Sequence, residues 1–305
     1  MRVERGGLDR QEPNRLEERE GDICGEKCDD CIRLLSNNVN SLGQVEGSEK
    51  EMIFKEFVKD YEIDIAGIQE TNICWHLMSH KNRIWDRFRK WKEICKLNVA
   101  YNSTDKNAEP YQPGGVAMFS VGKIAHRILE QGRDPSKLGR WAWVRYRGKH
   151  DRTFRVVTVY RPCSSINTNS AYHQQARSLA IEENNICPRQ ALMNDLGEHI
   201  GAWKNIGDSI VVMGDWNEDI ESKQFKAWRD LLGLKDVMLE SLTNGERAPN
   251  TYSRGQRPID TILATRGVEV RKAVYLPFGE GIGDHRALLV DIVISLVLGV
   301  RLPPI

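Results

Sequence analysis

Net charge, clustered cysteine and long apolar runs are all scarce in this 305-residue chain. Forty-four Lys and Arg stand against 43 Asp and Glu, a formal balance of +1, so bulk charge points neither towards a polyanionic partner nor away from one. A nucleic-acid enzyme of this balance must concentrate its basic residues on one face. The seven cysteines are scattered, and a chain of this size needs no disulfide framework; a reducing compartment is expected. Only Cys24, Cys28 and Cys31 lie together, and no further Cys or His nearby completes the four ligands of a structural zinc site, so a loose linker is expected there. The start is dense in Arg and Glu and lacks the apolar stretch of a signal peptide; residues 1–30 read as a disordered polar arm. Ala287–Val300 is apolar, but it is shorter than a membrane span and carries Asp291 in its middle. It is expected to hold a buried last strand, with no membrane contact. Residues 296–305 read as a tail, the expected stump of a longer polyprotein. There is no short-period repeat and no low-complexity segment.

What is present describes an ordinary globular domain over residues 31–295, with 40% hydrophobic and 29% charged residues in the whole chain. Apolar, β-branched runs bounded by polar turns predict strands at Ile32–Leu35, Ile63–Ile68, Val116–Ser120, Trp141–Tyr146, Phe154–Tyr160, Ile210–Met213, Ile259–Leu263 and Leu288–Ile294. Helical stripes run over Ser48–Tyr61 and Ser222–Leu232. A third helical region spans Ala171 to about Ile206 and is broken near Pro188. The mixed order argues for an α/β (α+β) fold with two sheets covered by helices. Strands that follow one another directly, as at Trp141–Tyr146 and Phe154–Tyr160, imply antiparallel pairing.

The informative feature is the polar residues at strand ends. Asn38 and Asn40 close the first strand, Gln69 and Glu70 the next. Tyr160 and Arg161 end Val-Tyr-Arg-Pro, and Asp215 and Asn217 end Gly-Asp-Trp-Asn. Asp260 opens Ile-Asp-Thr-Ile-Leu, and Asp284 and His285 precede the last strand. Strand ends gather residues distant in sequence into one cleft, and carboxylates gathered there attract a hard cation, Mg2+ or Mn2+. An Asp–His pair and an Asp–Asn pair supply proton transfer and phosphate contacts. Each motif alone reads as a turn, a cap or a surface loop; the ordered set carries the signal.

That set resembles the endonuclease/exonuclease/phosphatase superfamily, which includes apurinic endonucleases, pancreatic-type deoxyribonuclease, inositol polyphosphate 5-phosphatases and the endonuclease domains of non-LTR retrotransposons. The likeness runs from about Ile32 to Ile294. It implies a four-layer α/β/β/α sandwich of two mixed sheets flanked by helices, with the site at one edge. Carried over by position, it implies Glu70 as the main metal ligand, with Asn38 beside it and Asp284 near the metal. Asp215 would orient or deprotonate the attacking water, and Asn217 would hold the phosphate or that water. His285, oriented by Asp260, would stabilise the phosphate's developing charge, and Tyr160 would lie against the phosphate or the leaving oxygen. Three positions depart from common patterns. Asn40 stands where repair enzymes usually carry Asp and retrotransposon endonucleases often carry Asn. Cys163 stands where many members have Asn, and Gly283 where Ser is common.

The resemblance points to a metal-dependent phosphodiesterase that nicks DNA, of retrotransposon type, leaving a 3′-hydroxyl. Its expected partners are DNA and a reverse-transcriptase domain of the same polyprotein, and its expected location is intracellular, nuclear if that reading holds. A phosphatase of inositol polyphosphates or other small phosphoesters shares the core residues and is the alternative. The retained Glu70, Asp215, Asn217, Asp260 and His285 argue against an inactive interaction domain. Arg257-Pro258 stands where repair enzymes place an aromatic wall for the abasic sugar, which argues against abasic repair. Two basic, aromatic stretches, Arg83–Lys92 and Arg140–Arg147, suit backbone phosphates and stacked bases, with Arg87, Arg89, Lys90 and Arg161 as candidate DNA contacts. Both stretches also fit core packing, with Trp85, Phe88 and Trp91 on one helix face, and both readings stay open.

Overall fold

The computed structural model describes residues 19–293, apart from 24, 90, 92–94, 105–108, 149–151, 182–185 and 243–246 and the side chain of Arg89. The expected tail and most of the N-terminal arm lie outside the described residues. Strands are numbered in chain order. One sheet takes β1 (Glu20–Gly21), β2 (Cys31–Asn38), β3 (Ile65–Gln69), β4 (Cys95–Ala100), β5 (Val116–Val121), β12 (Val270–Tyr275) and β13 (Leu288–Val293). The other takes β6 (Ile128–Arg133), β7 (Trp141–Arg147), β8 (Thr153–Tyr160), β9 (Asp208–Asp215), β10 (Leu234–Asp236) and β11 (Asp260–Thr265). The strand orders are β1-β12-β13-β2-β3-β5-β4 and β10-β11-β9-β8-β7-β6. Both sheets are mixed: β2 pairs in parallel with β3 and β8 with β9, and the remaining pairs among the described residues are antiparallel.

Helices cover the two outer faces. α1 (Glu49–Asp60) and α2 (Ile84–Arg89) lie on the first sheet, where Phe54, Phe57, Val58, Ile84 and Phe88 pack with Leu35, Ala66, Ile68 and Phe119. α3 (Ala171–Ile181), α4 (Pro188–Asn205), α5 (Lys223–Leu231) and the single turn α6 (Val237–Glu240) belong to the second half. Leu192, Leu196, Ile200 and Trp203 of α4 and Phe225 of α5 pack in the cluster that also fills the space between the sheets. The result is the four-layer sandwich expected from the sequence. Pro188 opens α4 at a position whose N–H would have no helical partner anyway, which is why the long helical pattern splits there. Ser222 caps α5 by accepting the N–H of Phe225 at 3.1 Å. Glu20–Gly21, from the stretch read as a disordered arm, add a short edge strand paired with Tyr275 and Val274. Among the described residues no helix is long and apolar enough to cross a membrane.

Period-two alternation explains how the inter-sheet face becomes a site. On β2, Ile32 and Leu34 point into the core between the sheets, while Leu35 packs on the helical side. The next inward positions on the same strand are Ser36 and Asn38. On β3 the inward series is Ile65, Gly67 and Gln69. The Gln69 amide donates to Ser36 Oγ at 3.2 Å and to Thr158 Oγ1 of β8 at 2.9 Å. The interior is therefore apolar at one end of the strands and hydrogen-bonded at the other. Gly67 is required at the crossing: a Cβ there would stand 2.7 Å from Met213 Cε and 2.8 Å from Thr158 Oγ1.

Candidate active site

Both parallel pairs end at the same edge of the sandwich. Asn38 registers with Gln69, and Tyr160 with Asp215. β11 runs antiparallel to β9, so its first residue, Asp260, lies opposite Asp215. Just beyond the strands the chain takes left-handed backbone at Glu70 (φ 52) and Asn217 (φ 47). Such conformations cost non-glycine residues of order 1 kcal/mol or more and persist where the surroundings enforce them.

Asp215 is 1% exposed and is the hub of the arrangement. Its Oδ2 accepts the side-chain amides of Asn38 at 2.8 Å and Asn217 at 3.1 Å, and its Oδ1 accepts the backbone N–H of Asn217 at 2.8 Å. Burial first, and then the Asp260 carboxylate, push its pKa well above the ordinary carboxylate value. A carboxylate so placed gains affinity for a proton, the property a general base uses. Asp260 accepts Nδ1 of His285 at 2.8 Å. Burial alone would lower the histidine's pKa, but Asp260, then Asp215 and Glu70, outweigh it and hold His285 at about 10. The ring is an imidazolium at neutral pH, with Nδ1 committed to Asp260 and Nε2 left to donate to an anion.

Glu70 accepts a short hydrogen bond from the Tyr160 hydroxyl. Burial, then Glu70 and Asp215, raise the tyrosine's pKa well above its usual value, so it stays a donor. Burial likewise raises Glu70. Asp284 lies at the rim, where it accepts Arg254 Nη2 at 3.0 Å and the Asn40 amide at 3.4 Å. All eight catalytic and metal candidates therefore converge on one edge, although Asp284 is shared with an arginine.

Four further residues frame the site. Thr251 Oγ1 accepts the backbone N–H groups of Ile259 and Asp260, each at 3.0 Å, which fixes the start of β11. The Tyr252 ring lies 5.0 Å from the His285 ring. Arg254 is exposed and reaches Asp284. Lys50 Nζ donates to the carbonyls of Val39 and Asn40 at 2.7 and 2.5 Å, and burial lowers its pKa while Asp284 and Glu70 oppose that shift. No apolar periodicity flags the segment around Thr251, and Lys50 in the first turn of α1 reads as a solvated charge.

The donors fit a hard divalent cation. Glu70, Asp215, Asp260 and Asp284 bring four carboxyl groups to this edge, where Lys50, His285 and Arg254 are the nearby cations, and burial raises the pKa of Glu70 and Asp215. Oxygen donors from carboxylates and an amide suit Mg2+ or Mn2+. Ligand atoms of Asp215, Asp260 and His285 come within 4.8 Å of one another, but the His285–Asp260 hydrogen bond already uses two of them.

The candidate DNA contacts need correction. Arg87 is fully buried, with Nε 2.7 Å from Glu51 Oε2 and Nη1 donating to the Gly43 carbonyl at 2.9 Å. It braces α1 against the loop after β2 and reaches no solvent. Arg161 is 8% exposed and binds Glu218 at 2.6 Å and the Trp216 carbonyl at 3.2 Å. Arg89 sits in α2 without a described side chain, and Lys90 lies outside the described residues. The stretch from Arg140 is also structural. Arg140 pairs with Asp134 and Asp195, Trp141 is buried, and Trp143 packs against Trp203 at 5.6 Å.

The description "Endonuclease/Exonuclease/phosphatase family" matches residues 38–285, and the chain belongs to that family. Its members are phosphoester hydrolases that generally use divalent metals. No curated protein sequence matches the chain. The human Nocturnin catalytic domain with bound sulfate superposes with a TM-score of 0.61 at 16% identity, covering 92% of this chain and 99% of that one. A 3′ phosphatase, NExo, from Neisseria bound to product DNA hairpin gives 0.57 at 17% identity, covering 86% and 99%. An AP endonuclease from Leishmania major gives 0.60 at 11% identity, covering 86% and 88%. At these identities the likeness shows a shared fold.

Proposed function

We propose that this chain is a metal-dependent phosphodiesterase that nicks duplex DNA, of retrotransposon type, leaving a 3′-hydroxyl. The observation that carries this reading is where the cations lie. Among the described residues, the cavity beside Glu70 has no Lys or Arg in its lining. Arg254 and Arg257 instead stand exposed on the segment that leads into Asp260. A compact polyphosphate needs cations inside its pocket, whereas a duplex offers its backbone to cations at the rim. The small-phosphoester alternative is therefore not favoured. A retrotransposon origin is supported by Asn40, whose amide takes the place of a repair-type carboxylate and donates to Asp284.

Glu70, with Asn38 and Asp284, holds the cation, which when bound supplies charge neutralisation at the scissile phosphate. Asp215, kept in register by the Asn38 and Asn217 amides, orients the attacking water and takes its proton. The His285 imidazolium donates from Nε2 to a phosphate oxygen as charge develops there, and Asp260 fixes its tautomer. Tyr160, whose hydroxyl donates to Glu70, holds that carboxylate in place beside the scissile phosphate.

The test is supercoiled plasmid with Mg2+, with Mn2+ and with chelator. Open circles are expected with either metal and none with chelator. A polymerase should extend the nicks directly, as 3′-hydroxyl ends allow. Turnover of inositol polyphosphates far above that of DNA would overturn the assignment.

A further inference from the structure

The cavity beside the catalytic carboxylate has a composition that the reaction itself does not require. It encloses about 380 Å³ between the turn carrying Glu70 and Asn72, the segment at Tyr111–Gly114 and the loop from Cys163 to Ala171. Glu70 is its one charged side chain among the described residues; the others are Asn, Ser, Tyr, Pro, Gly, Ala and Cys. Among the described residues, a second phosphate placed here would meet a carboxylate and no cation. A flat neutral group with hydrogen-bonding edges meets the reverse: Asn40, Asn72, Asn167, Asn169 and Tyr111 line the cavity, with Asn72 and Asn167 each oriented by a backbone N–H on its side-chain oxygen and Asn40 by Asp284. Asparagine amides match the donor and acceptor pairs on base edges, and an aromatic face stacks on any base. Tyr111 lines the cavity and is 51% exposed. The frame is built rather than incidental. Gly114 N–H donates to Asn72 Oδ1 at 2.7 Å, which fixes that amide's orientation. Gly114 adopts φ 87, and a Cβ there would stand 3.2 Å from the Tyr160 ring and from Ala171 Cβ. The volume lies in the ordinary range for small-ligand pockets, about 300–1,000 Å³.

We infer that this cavity takes one unstacked nucleobase next to the scissile phosphate, with Tyr111 as the stacking platform and the surrounding asparagines reading the base edge. The inference rests on the DNA-nicking reading and adds to it a source of site choice. Unstacking costs free energy, least at flexible pyrimidine–purine steps, so the cavity favours cuts beside such steps.

The test uses a duplex with one cut site, in which each of three bases on either side of the cut is replaced in turn by a tetrahydrofuran spacer. The wild-type protein should lose about five- to a hundredfold in kcat/KM at one position beside the cut, the range that loss of one base stack spans, and much less elsewhere. Tyr111→Ala should lower kcat/KM on the intact duplex by a similar factor and show no further loss with the spacer, while Tyr111→Phe retains wild-type behaviour. Thermal melting controls for folding, and Tyr111, being half exposed, should tolerate both changes. Equal loss at every position, faster cutting with a spacer, or a Tyr111→Ala variant that still discriminates would overturn the subsite while leaving the nuclease reading intact. A wild-type protein that hydrolyses a small chromogenic diester but cuts no duplex would overturn both.

Discussion

Asp260→Asn isolates the electrostatics of the site from its shape. His285 sits at about 10 against an ordinary 6.5. At 1.36 kcal/mol per unit, that difference is a preference of about 5 kcal/mol for the imidazolium in the folded protein. The raised value means that the stabilisation is complete below about pH 6.5, shrinks as pH rises, and is gone above about pH 10. Asparagine keeps an oxygen for Nδ1 but removes the charge, leaving burial to lower the pKa with only Asp215 and Glu70 in opposition. A close opposite charge is worth about 1–3 units, so the variant's imidazole should lose its proton at least about one unit lower. The assay is proton NMR of the imidazole Cε1–H signals from pH 5 to 11 in chelator, with His285→Gln identifying the resonance among seven histidines. Urea unfolding should run in parallel: the wild type should lose stability between pH 7 and 10, and the variant should lose less. A wild-type His285 titrating within a unit of 6.5, or a variant with an unchanged midpoint, would refute this account.

Glu70→Ala and Asp215→Ala should each lower metal-dependent nicking at least about a hundredfold, the scale of a positioned acid–base group; cleavage equal to wild type would mark the activity as a contaminant. Arg87→Ala should destabilise the fold by about 3–5 kcal/mol, because it strips the buried Glu51 carboxylate of one of its two cationic partners, while the salt dependence of DNA binding stays as in wild type; an altered slope with normal stability would return Arg87 to the DNA path. An Arg254→Gln/Arg257→Gln double variant should flatten the plot of log affinity against log salt by up to about 1.8, at about 0.9 per phosphate contact, and an unchanged slope would remove the rim from the DNA path. Gly67→Val should destabilise by at least about 1–3 kcal/mol through overpacking between the sheets, a change that urea unfolding detects.

The sequence made the sandwich legible where strands are buried on both faces. Phe154–Tyr160, Ile210–Met213 and Leu288–Val293 are mostly apolar and wholly buried because sheet or helix covers each side, with Arg155 and Asp291 the charged exceptions. The strands it left unmarked lie at sheet margins or carry charge. Ile128–Arg133 is an edge strand whose Glu130 and Gln131 are exposed, Leu234–Asp236 is three residues long, and Val270–Tyr275 begins with Arg271 and Lys272 near the surface. Edge strands tolerate polar residues because one side faces water, and that erases the pattern. The site was legible for a related reason. A polar residue at the end of an apolar strand stands out against its run, as Asn38, Asp215 and Asp260 do. Thr251 and Tyr252 act just as directly on Asp260 and His285, yet they sit among Asn, Ser, Arg and Gly, where nothing sets them apart.

The basic stretches left both readings open because a charge's partner is a tertiary fact. Arg155 lies 4.1 Å from the Trp143 ring centroid and 4.6 Å from that of Trp203, and pairs with Asp208 at 2.7 Å. These residues come from separate strands and a helix, so no window of sequence contains them together. Arg33 with Asp291 and Arg87 with Glu51 repeat the arrangement. Arginine suits this use because its planar fork binds a carboxylate and two carbonyls while its face stacks on indole. Cations and anions neutralised in this way leave the near-zero net charge uninformative about DNA. Under the proposed reading, the field that would meet a polyanion comes from the unburied remainder, which among the described residues near this site includes Arg254 and Arg257. That segment runs directly into Asp260, so under the proposed reading the cations that would meet a backbone phosphate and the carboxylate that orients His285 belong to one short stretch of chain.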